Sequence, residues 1–325
     1  MLTLFTIPKP FAGHIGVIQR NAVRSWARLR GPDGRPCQLV LCGGEAGTAE
    51  MAEEVGATHV PDLACSDYGT PRLDDAFARV KRIADRPMCG YVNADILLPD
   101  ALLNAASRLA SLEDFLAVTR RWTVDVDREL DFEPGWDREL REGVAAPDRP
   151  HSIDFFLFPT VGEMGELPPF LVGRPGWDNW MIFESWRRGL PSVDLSDAVA
   201  ILHQRHGYGH VPAGRGSRWE GPEADANRRL LGSRFRVFDI SHATHAMTPD
   251  GRVVERAEAK SPRLERRLQY AFARRPRATL PLRLVTWPLR FAWRVGRSRY
   301  GWVSGPRRAR ADAQRQSYGP RKLDR

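Results

Sequence analysis

The 325-residue chain is 42 % hydrophobic and 27 % charged, which is enough apolar material for a sizeable core and argues against global disorder. Its formal charge of +9 is unevenly spread: from Arg252 onward 21 Lys/Arg face 5 Asp/Glu, whereas the preceding residues hold 28 against 35, so an acidic body carries a basic tail. Cys37, Cys42, Cys65 and Cys89 are irregularly spaced reduced thiols that suggest neither a zinc knuckle nor a disulfide framework, and without a secretion signal or a long apolar run the chain is expected to be cytoplasmic.

The first 115 residues alternate β-rich runs with segments of helical period, the pattern of βαβ units around a mainly parallel sheet. A strand is expected over 2–7. Residues 15–29 place apolar side chains at Ile18, Ala22, Trp26 and Leu29, close to the 3.6-residue period, and Gly31-Pro32 ends that helix. A second strand over 38–42 is closed by Gly43-Gly44; a helix over 48–55 and a short strand near 59–60 follow. Residues 72–84 are again helical, and the apolar strand 88–92 runs directly into Asn93-Ala94-Asp95. A helix with proline near its start is expected over 99–112, and a strand over 115–119. The acidic, tryptophan-bearing stretch 121–149 is broken by Pro134-Gly135 and Pro147 and reads as an excursion over the active face. A strand over 154–158 resumes the sheet, a helix spans 177–188, and 198–202 is the last clear strand. No internal repeat is visible.

Three constellations carry chemistry. Asn93-Ala94-Asp95 follows a strand at the place where open α/β sheets bind ligands, so it reads either as a turn or as a site where Asp95 ligates a phosphate-bound cation and Asn93 meets a ribose or a metal-bound water. Gly173-Arg174-Pro175-Gly176-Trp177-Asp178-Asn179-Trp180 opens a helix. There Arg174 offers positive charge, Trp177 a face for a sugar ring and Asp178 a base toward an acceptor hydroxyl; the alternative is an ordinary helix start with an acidic first turn and core tryptophans. Ile201-Leu202-His203-Gln204-Arg205-His206-Gly207-Tyr208-Gly209-His210 packs three histidines into eight residues. His203 or His206 could complete the coordination of Asp95, or the segment is a solvated loop.

Together these pieces resemble the nucleotide-sugar glycosyltransferases of the GT-A fold, of the family 2 type, over about residues 1–230. The likeness rests on Phe5-Thr6-Ile7-Pro8-Lys9-Pro10-Phe11, Gln19-Arg20-Asn21-Ala22-Val23-Arg24-Ser25-Trp26, Tyr91-Val92-Asn93-Ala94-Asp95-Ile96, Gly176-Trp177-Asp178-Asn179-Trp180 and His203-Gln204-Arg205-His206, in that order. The resemblance implies an α/β fold with a Rossmann-like, mixed but mainly parallel sheet flanked by helices. It implies nucleotide contacts at Thr6, Ile7 and Pro8, Asp95 as the metal-ligating end of a D-x-D motif, Mn²⁺ or Mg²⁺ as cofactor, and Asp178 as base of an inverting displacement. Asn93 departs from the motif's first position, and Glu45 stands where an aspartate after the second strand is the family pattern.

The expected organisation is a catalytic domain over 1–230, a connecting segment over 231–257 and a basic, amphipathic extension over 258–325. Within the extension Arg283, Arg290, Arg294 and Arg297 fall on one helical face interleaved with Trp287, Phe291 and Trp293, although Pro288 interrupts it. That composition fits an interfacial helix on an anionic membrane or a helix docked on the acidic body, and it fits nucleic acid less well. The expected partners are a nucleotide-sugar donor and a glycan, lipid-linked or other acceptor, with the enzyme peripheral at the inner face of the membrane. A sugar-phosphate nucleotidyltransferase is the competing enzyme class, disfavoured by the absence of a Gly-rich, basic loop after the first strand. A non-catalytic carbohydrate- or membrane-surface-binding protein is the competing class outside enzymes.

Overall fold

The computed structural model describes residues 1–207 and 219–274. In chain order its elements are β1 (Leu2–Thr6), α1 (Gly13–Ala27), β2 (Gln38–Cys42), α2 (Thr48–Val55), β3 (Thr58–Val60), α3 (Leu73–Ile83), β4 (Met88–Val92), β5 (Ile96–Leu97), α4 (Ala101–Leu109), β6 (Leu116–Val124), α5 (Trp136–Arg141) and β7 (Ile153–Pro159). Then come α6 (Trp177–Arg188), β8 (Ser192–Asp194), β9 (Ile201–Gln204), α7 (Pro222–Leu231), β10 (His245–Met247), β11 (Val253–Glu255), α8 (Ala257–Lys260) and α9 (Leu264–Arg274). Contacts group Met1–Gln269 as one compact unit; a second unit begins at Tyr270 and is described only to the end of α9.

The main sheet runs β11-β10-β8-β6-β7-β4-β1-β2-β3. Parallel pairing of β1 with β2 and β4, and of β2 with β3, forms the parallel half-sheet expected from the βαβ pattern. Strands β1, β4 and β7 are buried along their whole length because helices cover both faces. The period-2 alternation of side chains sorts residues between the two layers. Leu2, Leu4, Met88, Val92, Phe155 and Leu157 face a core built with Ala22, Val23 and Trp26 of α1, Met51 of α2 and Leu102 to Leu109 of α4. Phe5, Tyr91, Phe156 and Phe158 face the opposite layer, where Phe77 of α3 and Trp177 of α6 complete an aromatic stack.

The helices over 48–55 and 177–188 and the strands over 38–42 and 88–92 have the limits read from the sequence. Other elements end within a few residues of the limits read, α1 at Gly13–Ala27 and α4 at Ala101–Leu109 among them, and three differences change the architecture. The strand expected over 115–119 continues to Val124, because a bulge between Val118 and Arg120 lets β6 pair first with β8 and then with β9. The stretch read as an excursion therefore begins as sheet and also contains α5. Strand 198–202 is shifted to Ile201–Gln204, so His203 lies within it, and it is not the last strand: β10 pairs parallel with β8, and β11 antiparallel with β10. The residues read as a connecting segment over 231–257 thus extend the sheet edge.

Candidate active site and metal centre

A cavity of about 430 Å³ opens beyond the carboxyl ends of β1 and β4. Its lining begins with Ile7, Pro8, Lys9 and Pro10, the loop leaving β1. Two hydrogen bonds to Gln19 of α1 hold that loop: the Lys9 N–H donates to Oε1 at 2.7 Å and Nε2 donates to the Lys9 carbonyl at 2.8 Å. Gly16 lets α1 approach closely, since a Cβ there would lie 2.6 Å from the Phe11 carbonyl carbon.

The floor is made where β4 ends. The Asn93 N–H donates to the Asp154 carbonyl, and its side-chain amide donates to Asp154 Oδ1 at 2.6 Å. Asp154 comes here because β7 runs antiparallel to β4, with Val92 opposite Phe155. Its other oxygen accepts from Arg121 Nη1 at 2.5 Å, and Arg121 Nε donates to Asp148 at 3.0 Å. Burial works against the Arg121 charge, but Asp154 and Asp148 outweigh it and hold the guanidinium protonated well above its usual range.

Asp95 stands in the turn between β4 and β5, and β5 pairs antiparallel with β9 so that Ile96 is opposite His203. Gln204 locks this junction by donating its backbone N–H to the Asp95 carbonyl and its amide to the Ile18 carbonyl of α1. Asp95 Oδ2 lies 2.9 Å from His206 Nε2 and 3.7 Å from His203 Nε2. Oδ1 is buried and has no hydrogen-bond partner among the described residues. Burial alone would raise the Asp95 carboxyl; the hydrogen bond from His206, with the nearby Lys9 charge, overcomes it and keeps the group ionised, below the usual carboxylate range. His203 is pushed the other way, below the usual imidazole value, chiefly by burial, so it is neutral near pH 7. The candidate ligand atoms of Asp95, His203 and His206 all lie within 4.8 Å of one another, the spacing of a shared cation. An ionised carboxylate with one orphaned oxygen beside neutral imidazole is a donor set that fits a divalent metal.

The remaining sequence-based candidates divide. Ile7, Pro8, Asn93, Asp95, Arg174, His203 and His206 line the cavity. Thr6, Trp177 and Asp178 do not, among the described lining. Thr6 is fully buried at the end of β1, one residue short of the loop that reaches the cavity. Trp177 is 6 % exposed and packs edge-on against Tyr91 and tilted against Phe156, so it supports the cavity wall from behind instead of presenting a face to a sugar. Asp178 occupies the first turn of α6, where its Oδ1 accepts the Asn179 N–H at 2.9 Å. Arg174 lies in the lining, but Nε and Nη2 are committed to Glu223 Oε2 at 3.0 and 2.6 Å. His210 and the amphipathic segment with Arg283 to Arg297 lie outside the described residues.

Lys9 and Tyr91, which lie in the stretches that carry the resemblance but have no role assigned there, also line the cavity, as do Arg121 and Asp154, which belong to none of those stretches. The signal for Arg121 is its place two residues beyond Thr119 on a strand that does not stop there; for Asp154 it is the antiparallel direction of β7, which brings the start of that strand beside the end of β4.

No family model matches the chain, and no curated protein does. Similar solved structures include Mycobacterium tuberculosis glucosyl-3-phosphoglycerate synthase in complex with Mn²⁺, uridine diphosphate and glucosyl-3-phosphoglycerate, at 15 % identity over 73 % of this chain and 80 % of that one, with a TM-score of 0.42. Another is S. aureus TarS 1–349 in complex with UDP-GlcNAc, at 11 % identity over 84 % of this chain and 79 % of that one, with a TM-score of 0.45. By its own topology, a parallel β3-β2-β1-β4 half continued by antiparallel β7 and by β6, with the small β5-β9 pairing beside it, the chain has the mixed α/β architecture of the GT-A type.

Proposed function

We propose that the chain is a metal-assisted glycosyltransferase that takes a sugar from a nucleoside diphosphate donor. The observation that carries this reading is an ionised, buried Asp95 whose Oδ2 faces two imidazoles and whose Oδ1 has no partner among the described residues, on the floor of a cavity beyond the parallel strands. Asp95, His203 and His206 would hold the cation, and two nitrogen donors favour Mn²⁺ over the oxygen-seeking Mg²⁺. When bound, the cation supplies charge neutralisation for a departing diphosphate. The chain's own residues do the rest. Ile7 and Pro8 offer an apolar wall to the nucleoside, with Glu45 at its edge, and Lys9 adds positive charge near the metal ligands. Asp154, with both oxygens engaged by Asn93 and Arg121, stiffens the floor. Asp178 lies outside the cavity lining and accepts the Asn179 N–H, so no base role toward the acceptor is proposed for it.

The acceptor class is tied to the tail: the basic extension over 258–325 supports a peripheral position at an anionic surface, and with it a lipid-linked or surface glycan acceptor.

The test is thermal stabilisation by UDP-, GDP-, CDP- and dTDP-sugars, each with Mn²⁺ and with EDTA, for the wild type and Asp95→Ala. A ligand that binds only the folded state raises Tm by mass action, about 2.7 kcal/mol of stabilisation at a hundredfold excess over Kd. A Mn²⁺-dependent rise with one nucleotide class, lost in Asp95→Ala, is expected; no rise with any donor in folded protein would overturn the reading.

A further inference from the structure

We infer that Thr123 and Asp148 form a positioning relay that fixes His203 in the tautomer able to ligate a cation. The inference rests on the metal-dependent reading above and deepens it. Arg121 and Thr123 are two residues apart on β6, so their side chains share one face. The parallel register of β6 with β9 puts Thr123 opposite His203. The Asp148 N–H donates to the Arg121 carbonyl at 2.8 Å, which lays the Asp148 carboxylate along this same face.

The direction of the hydrogen bonds then follows from proton counting. Thr123 Oγ1 donates to Asp148 Oδ2 at 2.8 Å, and that oxygen also accepts from Arg121 Nε at 3.0 Å. A hydroxyl has one proton, and an ionised carboxylate returns none. Toward His203 Nδ1, 3.3 Å away, Thr123 Oγ1 is therefore an acceptor, and Nδ1 carries the imidazole proton. Nε2 is left with its lone pair pointing at Asp95 Oδ2 across 3.7 Å. Two electron-rich atoms face each other there, beside the orphaned Asp95 Oδ1, which is an arrangement a cation completes.

His206 sits differently, with its Nε2 2.9 Å from Asp95 Oδ2 and its Nδ1 3.0 Å from the Gly207 carbonyl, so both of its nitrogens face acceptors. For His203 the choice is made by side chains. Without Asp148 the Thr123 hydroxyl is released to turn its proton onto Nδ1, which moves the imidazole proton to Nε2 and aims it at the cation position. Thr123 and Asp148 are thus positioning residues acting through His203, in the manner of outer-shell partners that orient metal-ligating histidines.

The experiment uses the full chain and Mn²⁺ alone. Binding is measured calorimetrically for the wild type, Asp95→Ala, Thr123→Val, Thr123→Ser and Asp148→Ala, with Tm recorded for each. The His203 tautomer is read from ¹⁵N chemical shifts of the metal-free wild type. Asp95→Ala should abolish binding, Thr123→Val and Asp148→Ala should weaken it roughly 10- to 100-fold, and Thr123→Ser, which keeps the hydroxyl, should stay within about threefold. The wild-type His203 should carry its proton on Nδ1. A wild-type Nε2–H tautomer, or folded Thr123→Val and Asp148→Ala variants that bind as well as wild type, would overturn the relay while leaving the metal site standing. A wild type that does not bind Mn²⁺ would overturn the metal reading, and the relay with it.

Discussion

Single residues at the site fall into two energetic classes. Arg174 and Glu223 form a pair whose side chains are 12 % and 6 % exposed, so removing one partner strands a charge in a low-dielectric wall. Arg174→Ala should therefore cost about 3–5 kcal/mol of stability in denaturant unfolding, and Arg174→Lys should not restore it, because a single ammonium cannot reproduce the two-nitrogen contact. Asp178 belongs to the other class. Its Oδ1 accepts the Asn179 N–H at 2.9 Å, and asparagine accepts the same backbone N–H, so Asp178→Asn should change stability by less than about 1 kcal/mol. The same substitution should change kcat by less than about tenfold, below the contribution typical of a general base. A larger fall in kcat with unchanged Tm would restore Asp178 as the base.

At the scale of elements, α1 governs the side of the cavity proposed to take the nucleotide. Gly16 allows the helix to lie against Phe11, and Gln19 grips the loop that carries Ile7, Pro8 and Lys9. Gly16→Ala must displace one or the other, at a cost of about 1–3 kcal/mol for overpacking. Because the displaced loop is the proposed nucleoside wall, the donor KM should rise more than kcat falls, measurable in initial-rate kinetics. The bulged strand β6 has the complementary task. Its first half belongs to the main sheet and its second half to β9, and the bulge between Val118 and Arg120 turns Arg121 and Thr123 toward the floor.

For the whole molecule, pH and charge set the conditions of function. Glu223 and Asp239 have carboxyl values below their ordinary range; burial opposes this, and the hydrogen bonds from Ser66, Thr70 and Arg174, and from His242 and Ser241, prevail, taking Asp239 down to about 2. Depressed folded-state values favour the ionised folded form. Their stabilisation is fully present above the unfolded carboxylate range and is lost as pH falls through the folded values, so Tm should decline from about pH 4 toward pH 2. Asp239→Asn should flatten part of that decline. The uneven charge leads to a second expectation. The intact chain should sediment with anionic vesicles and not with neutral ones, and added salt should release it, because basic residues near an anionic surface act over about a Debye length.

Local sequence determined much of this protein. Apolar runs and periodicity located β1, β2, β4, α1 and α3, because residues buried from both sides of a sheet leave unbroken apolar runs and amphipathic helices keep a 3.6-residue stripe. The end of β4 marked Asp95, and the density of histidines marked His203 and His206, because a strand terminus and a metal-type donor are both local properties. Tertiary structure decided the rest. Only the antiparallel course of β7 places Asp154 beside Asn93, and only the bulge in β6 brings Arg121 and Thr123 to the same floor. Packing around Tyr91 turned Trp177 from a sugar platform into a supporting wall, and the pairing of β5 with β9 joined Asp95 to two imidazoles more than a hundred positions away. Strand direction, register and bulges depend on which distant segments pair, and no window of neighbouring residues carries that information.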